Sequence, residues 1–313
     1  MSILCVGSVA LDSVRTPSGE REEALGGSAT FFSTAASFLA KVDLVAVVGE
    51  DFPEEHVRFL GSRGVGLSGL ERRPGRTFRW RGRYDWDLNE AKTLATELNV
   101  FESFHPKVPE PLRRPEILFL GNIEPELQAA VLEQVDRPKL VAADTMNFWI
   151  TGRREALLRT LAKVDLLFVN DSEARQLAGE SSIVKAVQAI QRMGPRIVCV
   201  KRGEYGALLF QPPAEEEDGV FAIPALPMEE VRDPTGAGDS FAGGFLGALA
   251  AGGRQGPAEL RHAAVMGSVL ASLAVEDFSL DRFRTLQPQE IEARRRRFER
   301  LTWFEPKLSR LAG

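Results

Sequence analysis

The chain has 313 residues, enough for one large domain or two ordinary ones, and 44% of them are hydrophobic, which supplies a substantial core. Its 39 basic and 44 acidic side chains give a formal charge of −5, a balance with no general attraction for nucleic acid or an acidic membrane surface. Two cysteines and three scattered histidines (His56, His105, His262) exclude a disulfide framework and a His/Cys metal cluster; Cys5 and Cys199 lie in apolar, strand-like runs and read as buried thiols in a reducing compartment.

The N-terminal run Ser2 to Ala10 is apolar, lacks a basic lead-in and soon meets Asp12, so it reads as a first strand (residues 2–8) instead of a signal peptide. No run is long enough to span a bilayer, and the cytoplasm is the expected location. Residues 9–25 are polar and turn-rich. Gly26-Gly27-Ser28 then opens a helix that runs to about Ala40, followed by strand 43–48, the polar Gly49-Glu50-Asp51 and helix 54–63. Such alternation is the pattern of a parallel sheet with helices on its faces. Gly64-Val65-Gly66-Leu67-Ser68-Gly69 matches a dinucleotide-binding glycine pattern, but it follows a helix and no helix opens after it, so it reads as a turn. The Walker-type phosphate loop does not occur, so any grip on ATP must lie elsewhere.

Residues 67–105 break the rhythm. From Thr77 to Asp87 the chain alternates, with Phe78, Trp80, Tyr84 and Trp86 on one face and Arg79, Arg81, Arg83 and Asp85 on the other. The aromatic face should be covered, either by the main domain or a twin subunit, or by a substrate over which it closes. The arginines are expected to be solvated.

Strand–helix alternation resumes with strand 116–120, helix 125–134, strand 139–143, helix 151–162 and strand 165–169. Gly121-Asn122, Asp144-Thr145-Met146-Asn147 and Asn170-Asp171-Ser172-Glu173 follow the three strands. Any one of these clusters serves as a turn or a cap. Three together mark the sheet edge where open parallel sheets bind ligands. Asn170 and Glu173 are also spaced as a capping box. Strand 196–201 ends at Lys201, and Gly203 and Gly206 suit a tight hairpin into strand 206–210. An exposed loop with the acidic run Glu215 to Asp218 precedes strand 219–223. Helix 258–275 carries small residues at Gly267, Ser268, Ala271 and Ser272 for close packing. Arg294 to Arg297, interleaved with Glu290, Glu292 and Glu299, read as a solvated helix with internal ion pairs.

The stretch 232–250 carries the chemistry. Phe241, Phe245, Leu246 and Leu249 share one helical face, while Ala242, Gly243, Gly247 and Ala248 leave another thin. Gly236, Ala237 and Gly238 then fall at the helix N-terminus, where free N–H groups and the dipole favour an anion. Asp239 in that first turn would be repelled by the anion, unless it accepts a proton from a hydroxyl attacking a phosphorus held there.

The string Asp-Pro-Thr-Gly-Ala-Gly-Asp-Ser-Phe-Ala-Gly-Gly-Phe (233–245) resembles the signature of the ribokinase (PfkB) family of small-molecule kinases. The resemblance covers nearly the whole chain: Asp12 after the first strand, Gly26-Gly27, Gly49-x-Asp51, Asn170-x-x-Glu173 and Gly203-x-x-Gly206 agree in order and spacing. It implies a single ribokinase-like α/β domain over 1–313: a central, mostly parallel sheet flanked by helices, with a small β lid formed by about 10–25 and 67–105. It also implies ATP-dependent transfer of a phosphoryl group to a hydroxyl, with Asp239 as base and the N–H groups of Gly236, Ala237 and Gly238 as anion hole.

By the same likeness Asn170, Glu173, Lys201, Gly203, Gly206, Thr235, Gly236 and Gly238 surround the nucleotide, with Glu173 ordering water around Mg²⁺. Asp12, Gly26, Gly27, Phe31, Asn122 and Asp239 surround the acceptor. Lys201 stands where many members place a threonine, and a lysine there can contact phosphate directly. Asp233 occupies a position that in some members supports a monovalent cation such as K⁺. Phe31 stands where many sugar-phosphorylating members have an asparagine that binds sugar hydroxyls, and an aromatic ring cannot replace those hydrogen bonds. A small sugar or sugar-like acceptor is the first expectation, and a nucleoside, stacked on the aromatic strand 78–86, the alternative within the family. A ligand-binding regulator that has lost turnover is the alternative from another class. Intact Asp239, Glu173 and Gly236-Ala237-Gly238 weigh against it, and a dinucleotide-dependent oxidoreductase has only the misplaced glycine pattern. The open edge of the aromatic strand suits a homodimer joined through the lid.

Overall fold

The computed structural model describes residues 1–213 and 219–303, so the run Glu215 to Asp218 lies outside the described residues. In chain order the strands are β1 (Ile3–Val6), β2 (Ala10–Thr16), β3 (Gly19–Gly26), β4 (Val42–Gly49), β5 (Gly66–Arg73), β6 (Phe78–Tyr84) and β7 (Ala91–Glu97). They continue with β8 (Ile117–Leu120), β9 (Leu140–Asp144), β10 (Leu166–Asn170), β11 (Ile197–Lys201), β12 (Ala207–Phe210) and β13 (Val220–Ile223). The helices are α1 (Ser28–Ser37), α2 (Glu54–Ser62), α3 (Pro125–Leu132), α4 (Asn147–Gly152), α5 (Arg154–Leu161) and α6 (Asp171–Ala178). After them come α7 (Ile183–Gln191), α8 (Ala237–Gly252), α9 (Pro257–Ala274), α10 (Asp281–Thr285) and α11 (Pro288–Thr302).

One large sheet runs β13-β12-β11-β10-β9-β8-β1-β4-β5, parallel from β11 to β5 and antiparallel at β12 and β13. Its central strands read as unbroken apolar runs because helices cover both faces. On β1, Ile3 and Cys5 enter an apolar layer with Phe32, Phe245 and Leu270, while Leu4 and Val6 enter the opposite layer with Leu118, Val169 and Ile190. Cys5 and Cys199 are buried free thiols.

Helix α8 lies between α1 and α9 in the first layer. Phe241 and Phe245 meet Phe168 of β10 edge-on, at ring-centroid distances of 6.3 and 5.3 Å. The thin face expected for this helix lets backbones touch. A Cβ on Gly243 would lie 2.4 Å from the Phe32 carbonyl oxygen, and one on Gly244 2.7 Å from that of Met266.

A second sheet, β3-β2-β6-β7, meets the main body at Gly27 through Asp12 and at Thr235 through Tyr84. Residues 9–25, read as turn-rich, supply the hairpin β2–β3 instead; exposed Glu20, Arg21 and Glu22 on β3 hide its strand character. The range 67–105 expected for the lid is too wide. β5 pairs with β4 at the edge of the large sheet, and Val100 and Phe104 pack into its core. Helix α4 was not expected; its six residues are too few to show a period.

The small sheet is fastened at the root of β6. Asp51 accepts hydrogen bonds from the Thr77 N–H and Oγ1, both at 2.7 Å, and pairs with Arg79 at 2.8 Å. Burial pushes the Asp51 carboxyl upward, but the Thr77 hydrogen bonds and Arg79 outweigh it and leave it below the ordinary value. Arg79 also pairs with Glu23 at 2.7 Å, and its side chain is only 13% exposed. It is therefore not solvated as expected, whereas Arg81 and Arg83 are exposed. At the far end of the chain, Arg295 and Arg296 pair with Glu292 along α11 as expected, while Arg294 turns inward to Glu276.

Adding a methyl tests the α1–α8 contact. Gly243→Ala gains about 1 kcal/mol of helix propensity but forces α1 and α8 apart, and should lose roughly 1–3 kcal/mol net in denaturant unfolding. Gly61→Ala, with nothing within 4 Å of its Cβ position, should be neutral or stabilising by up to about 1 kcal/mol. Equal effects at the two positions would contradict the close packing.

Candidate active site

The site forms where α8 begins. Asp233 organises the turn: one carboxylate oxygen accepts the Thr235 N–H at 2.9 Å and the other the Ser279 N–H at 3.0 Å. Gly236 caps the helix in the left-handed region, with φ of 71°, and a Cβ there would lie 2.2 Å from the Phe31 ring. Only glycine meets both demands. The Phe31 ring thus supports the cap, almost fully buried, and also lines a small cavity with Asp12, Asp233 and Thr235. Of the three amides expected at the anion site, Ala237 already donates to the Pro234 carbonyl at 3.1 Å. Those of Gly236 and Gly238 have no partner among the described residues, nor does that of Asp239.

Four charges meet beneath this turn. Lys201, at the end of β11, pairs with Asp144, at the end of β9, at 2.7 Å. Its Nζ would lie 3.0 Å from a Cβ on Gly238. Burial alone would lower the Lys201 pKa, but Asp144, Glu173 and Asp239 together hold it above its ordinary value. Asp239 is pushed up to about 8, first by burial and then by the Asp144 charge, against the pull of Lys201. Glu173 rises to about 7, again chiefly through burial. Asn170 and Glu173 form the capping box of α6: the Asn170 side chain accepts the Glu173 N–H at 2.7 Å, and Glu173 accepts the Asn170 N–H at 2.8 Å. One Glu173 oxygen thus stays uncommitted beside the cluster. Gly203 and Gly206 flank a short 3-10 turn between β11 and β12, both with positive φ.

On the other side of the turn, Asp12 of β2 accepts the Gly27 N–H at 3.3 Å. A Cβ on Gly26 would fall 2.0 Å from the same carboxylate, which accounts for the glycine there. Burial lifts Asp12 to about 7; the Gly27 hydrogen bond lowers it and the Asp233 charge adds to the rise. The structure therefore gathers Asp12, Gly26, Gly27, Phe31, Thr235, Gly236, Gly238, Asp239, Lys201 and Glu173 around the start of α8. Asn122 differs: its oxygen accepts from the Trp149 indole at 2.9 Å and its amide donates to Met146 at 3.1 Å, so α4 and the residue that precedes it engage both ends.

Residues 2–283 match the pfkB family of carbohydrate kinases. The chain belongs to that family. Its members are phosphotransferases with an alcohol group as acceptor and use ATP with a divalent metal. The chain is similar to a cytidine kinase of Thermococcus kodakarensis, 32% identical over 260 residues, which are 80% of this chain and 90% of the relative. In structure it is similar to a nucleoside kinase of Methanocaldococcus jannaschii described as an archaeal member of the ribokinase family, with a TM-score of 0.73, 22% identity, and 94% and 98% of the two chains covered. It is equally similar to a Burkholderia thailandensis nucleoside kinase in complex with inosine, with a TM-score of 0.73, 21% identity, and 98% and 100% covered. The fold is ribokinase-like.

Sequence reasoning about this pfkB kinase passed over Asp144. It placed Asp144 in the polar cluster after strand 139–143 but gave it no role, although a lone basic residue at the end of β11 calls for a carboxylate partner nearby. Among the described residues no three His, Cys, Asp or Glu side chains converge as direct metal ligands.

The raised Glu173 carboxyl sets a pH dependence. Below its ordinary value it is neutral in both the folded and the unfolded chain. As pH rises from there to about 7 the unfolded chain ionises first, so the wild type loses stability through that window. Glu173→Gln can still accept the Asn170 N–H and carries no charge. In metal-free buffer its melting temperature should equal the wild type's near pH 4 and exceed it at pH 8; the same difference at both values would rule the argument out.

Proposed function

We propose that this kinase phosphorylates a hydroxyl of a nucleoside. One observation carries the choice over a simple sugar: a flat indole beside the carboxylate that would hold the acceptor's hydroxyls. In the parallel β2–β6 ladder Asp12 faces Trp80 and Val14 faces Gly82, so Asp12, Val14, Trp80, Gly82 and Tyr84 share one side of the small sheet. The Trp80 ring lies over Gly82, where a Cβ would be 2.1 Å from it, and its indole N–H donates to the Thr93 hydroxyl at 3.1 Å. The ring is therefore held along the sheet as a half-buried surface on which a planar base can stack. Phe31, in place of a hydrogen-bonding asparagine, agrees with a less polar acceptor. The relatives named cytidine kinase and nucleoside kinase support the same reading.

Asp12, oriented by the Gly27 amide, would hold sugar hydroxyls and so aim the acceptor's reacting hydroxyl at the start of α8. Asp239 would take its proton, and a pKa of about 8 places this carboxyl near working pH, where a base is effective. The partnerless amides of Gly236 and Gly238 would face the transferring phosphoryl group, with the dipole of α8 behind them. Lys201 lies close enough to Gly238 to add its charge to the same place. Glu173 would hold the nucleotide's Mg²⁺ through water, and the ion supplies further charge neutralisation. Gly203 and Gly206 would let the nucleotide approach the β11–β12 turn. Asp233 has an amide on each oxygen, so toward a monovalent cation it would shape the loop before acting as a ligand.

Three measurements test the proposal. Cytidine, adenosine and inosine should be turned over in a coupled ADP assay, with ribose and fructose far poorer; turnover of the sugars alone would sink the nucleoside reading. Asp239→Asn should lower kcat by ~100- to ~10,000-fold, and near-wild-type turnover would remove Asp239 as base. Asp144→Asn removes a negative charge that raises Asp239 and frees Lys201 to lower it further. The rising acidic limb of kcat/KM should therefore move to lower pH; an unmoved limb would mean that Asp239 does not govern it.

A further inference from the structure

The acceptor machinery described so far lies on the body, on β2 and, for the base, at Trp80 of β6. Fastened to the body at its root, the hairpin β6–β7 reaches over it and meets the body again toward its tip. At the end of β6 the Tyr84 hydroxyl lies 3.4 Å from Thr235 Oγ1, one residue before the Gly236 cap. In the loop that follows, Asn89 Oδ1 comes within 3.1 Å of where a Cβ on Gly203 would sit. The hairpin thus spans from the acceptor side to the β11–β12 turn, and Tyr84 points into the cleft instead of into solvent.

The hydroxyl has hydrogen-bonding capacity left over. An O–H···O bond is usually 2.5–3.0 Å long, so the contact with Thr235 is loose. Burial raises the phenol well above its ordinary value, and the carboxylates of Asp233, Asp12 and Asp239 add to the rise, so it remains a proton donor at any working pH. Tyr84 also shares the sheet face of Asp12: Trp80 faces Asp12, Gly82 faces Val14, and Tyr84 follows two residues on along β6. A carboxylate that accepts and a phenol that donates, set on one face above the start of α8, are complementary to a sugar hydroxyl, which needs both.

We infer that Tyr84 is a specificity residue of the acceptor site, its phenol donating to a secondary hydroxyl of the sugar whose own proton Asp12 accepts. The inference rests on the reading of this cleft as the acceptor site of a nucleoside kinase. It places recognition of the sugar partly on the small sheet: the ring that follows Trp80 on the same face reads the hydroxyl, while Trp80 takes the base.

The test compares Tyr84→Phe with wild type on cytidine, 2′-deoxycytidine and 3′-deoxycytidine, reading kcat/KM for each. Losing one neutral hydrogen bond should lower kcat/KM for cytidine about tenfold. The analogue that lacks the contacted hydroxyl should lose less than about twofold, so discrimination against that analogue shrinks by nearly the whole effect. The melting temperature should stay at the wild-type value, because the hydroxyl's one protein contact is loose. Equal losses on all three substrates would show a purely structural role, and no loss on any would show no contact; either overturns the inference. Failure of the nucleoside reading shows differently, as a wild-type enzyme that uses ribose or fructose and no nucleoside. The same ratio is then measured with that sugar and its deoxy forms, and an unchanged ratio there also overturns the role of Tyr84.

Discussion

Charge balance at the first turn of α8 constrains the rest of this molecule. A helix start already carries partial positive charge, and Lys201 brings a full one to within reach of Gly238. Asp144 holds that ammonium at 2.7 Å, and Asp239 and Glu173 close the group. Each member explains a neighbour. Gly238 lacks a side chain because Lys201 fills the space. Asp239 is tolerated in a half-buried first turn because a cation lies beneath it. Three strands end in polar residues because their carboxyl ends deliver Asp144, Asn170 and Lys201 to one edge. The group holds more carboxyls than cations, and burial first, with the neighbouring carboxylates second, raises Asp239 and Glu173. Such an arrangement is suited to a substrate that arrives with its own cation.

Local spacing made much of this legible. The motif at 233–245, the Gly26-Gly27 pair and the Asn170–Glu173 box are each written within a few residues, and each forms the local structure its chemistry dictates. The parallel core was readable because strands covered on both faces are apolar throughout. What was hidden depends on residues far apart in the chain. Asp144 and Lys201 are separated by 57 positions, and nothing near either one announces the other. β3 was masked by its exposed polar run from Gly19 to Glu23, and β2, though mostly buried, by the polar Asp12, Ser13, Arg15 and Thr16 it carries. Arg79 alternates with aromatics like any solvated residue, and its burial follows only once Glu23 and Asp51 are brought together. Asn122 sits at the functional edge, yet Met146 and Trp149 engage it, through a helix too short to leave a periodic trace.

The aromatic strand illustrates how the two levels combine. Alternation alone put Phe78, Trp80, Tyr84 and Trp86 on one face without saying what that face meets. The fold gives them separate tasks. Phe78 stacks on Phe101 at a centroid distance of 5.3 Å and joins the body; Trp80 lies flat over Gly82; Tyr84 reaches Thr235; Trp86 is left 87% exposed beyond the end of the strand. A single sequence pattern therefore runs from packing at one end to solvent at the other, with Trp80 and Tyr84 between.

The Asp51 clasp on Thr77 gives that gradient a mechanical meaning. The seven residues of β6 span about 20 Å, fastened at the root by two hydrogen bonds and an ion pair, paired to β2 as far as Arg83, and reaching the body near the tip through one loose hydroxyl contact. The ladder with β2 runs from Phe78 to Arg83, so the stretch beside Asp12 is tied rung by rung, while Tyr84 lies past the last rung and is joined to the body by its weak link to Thr235.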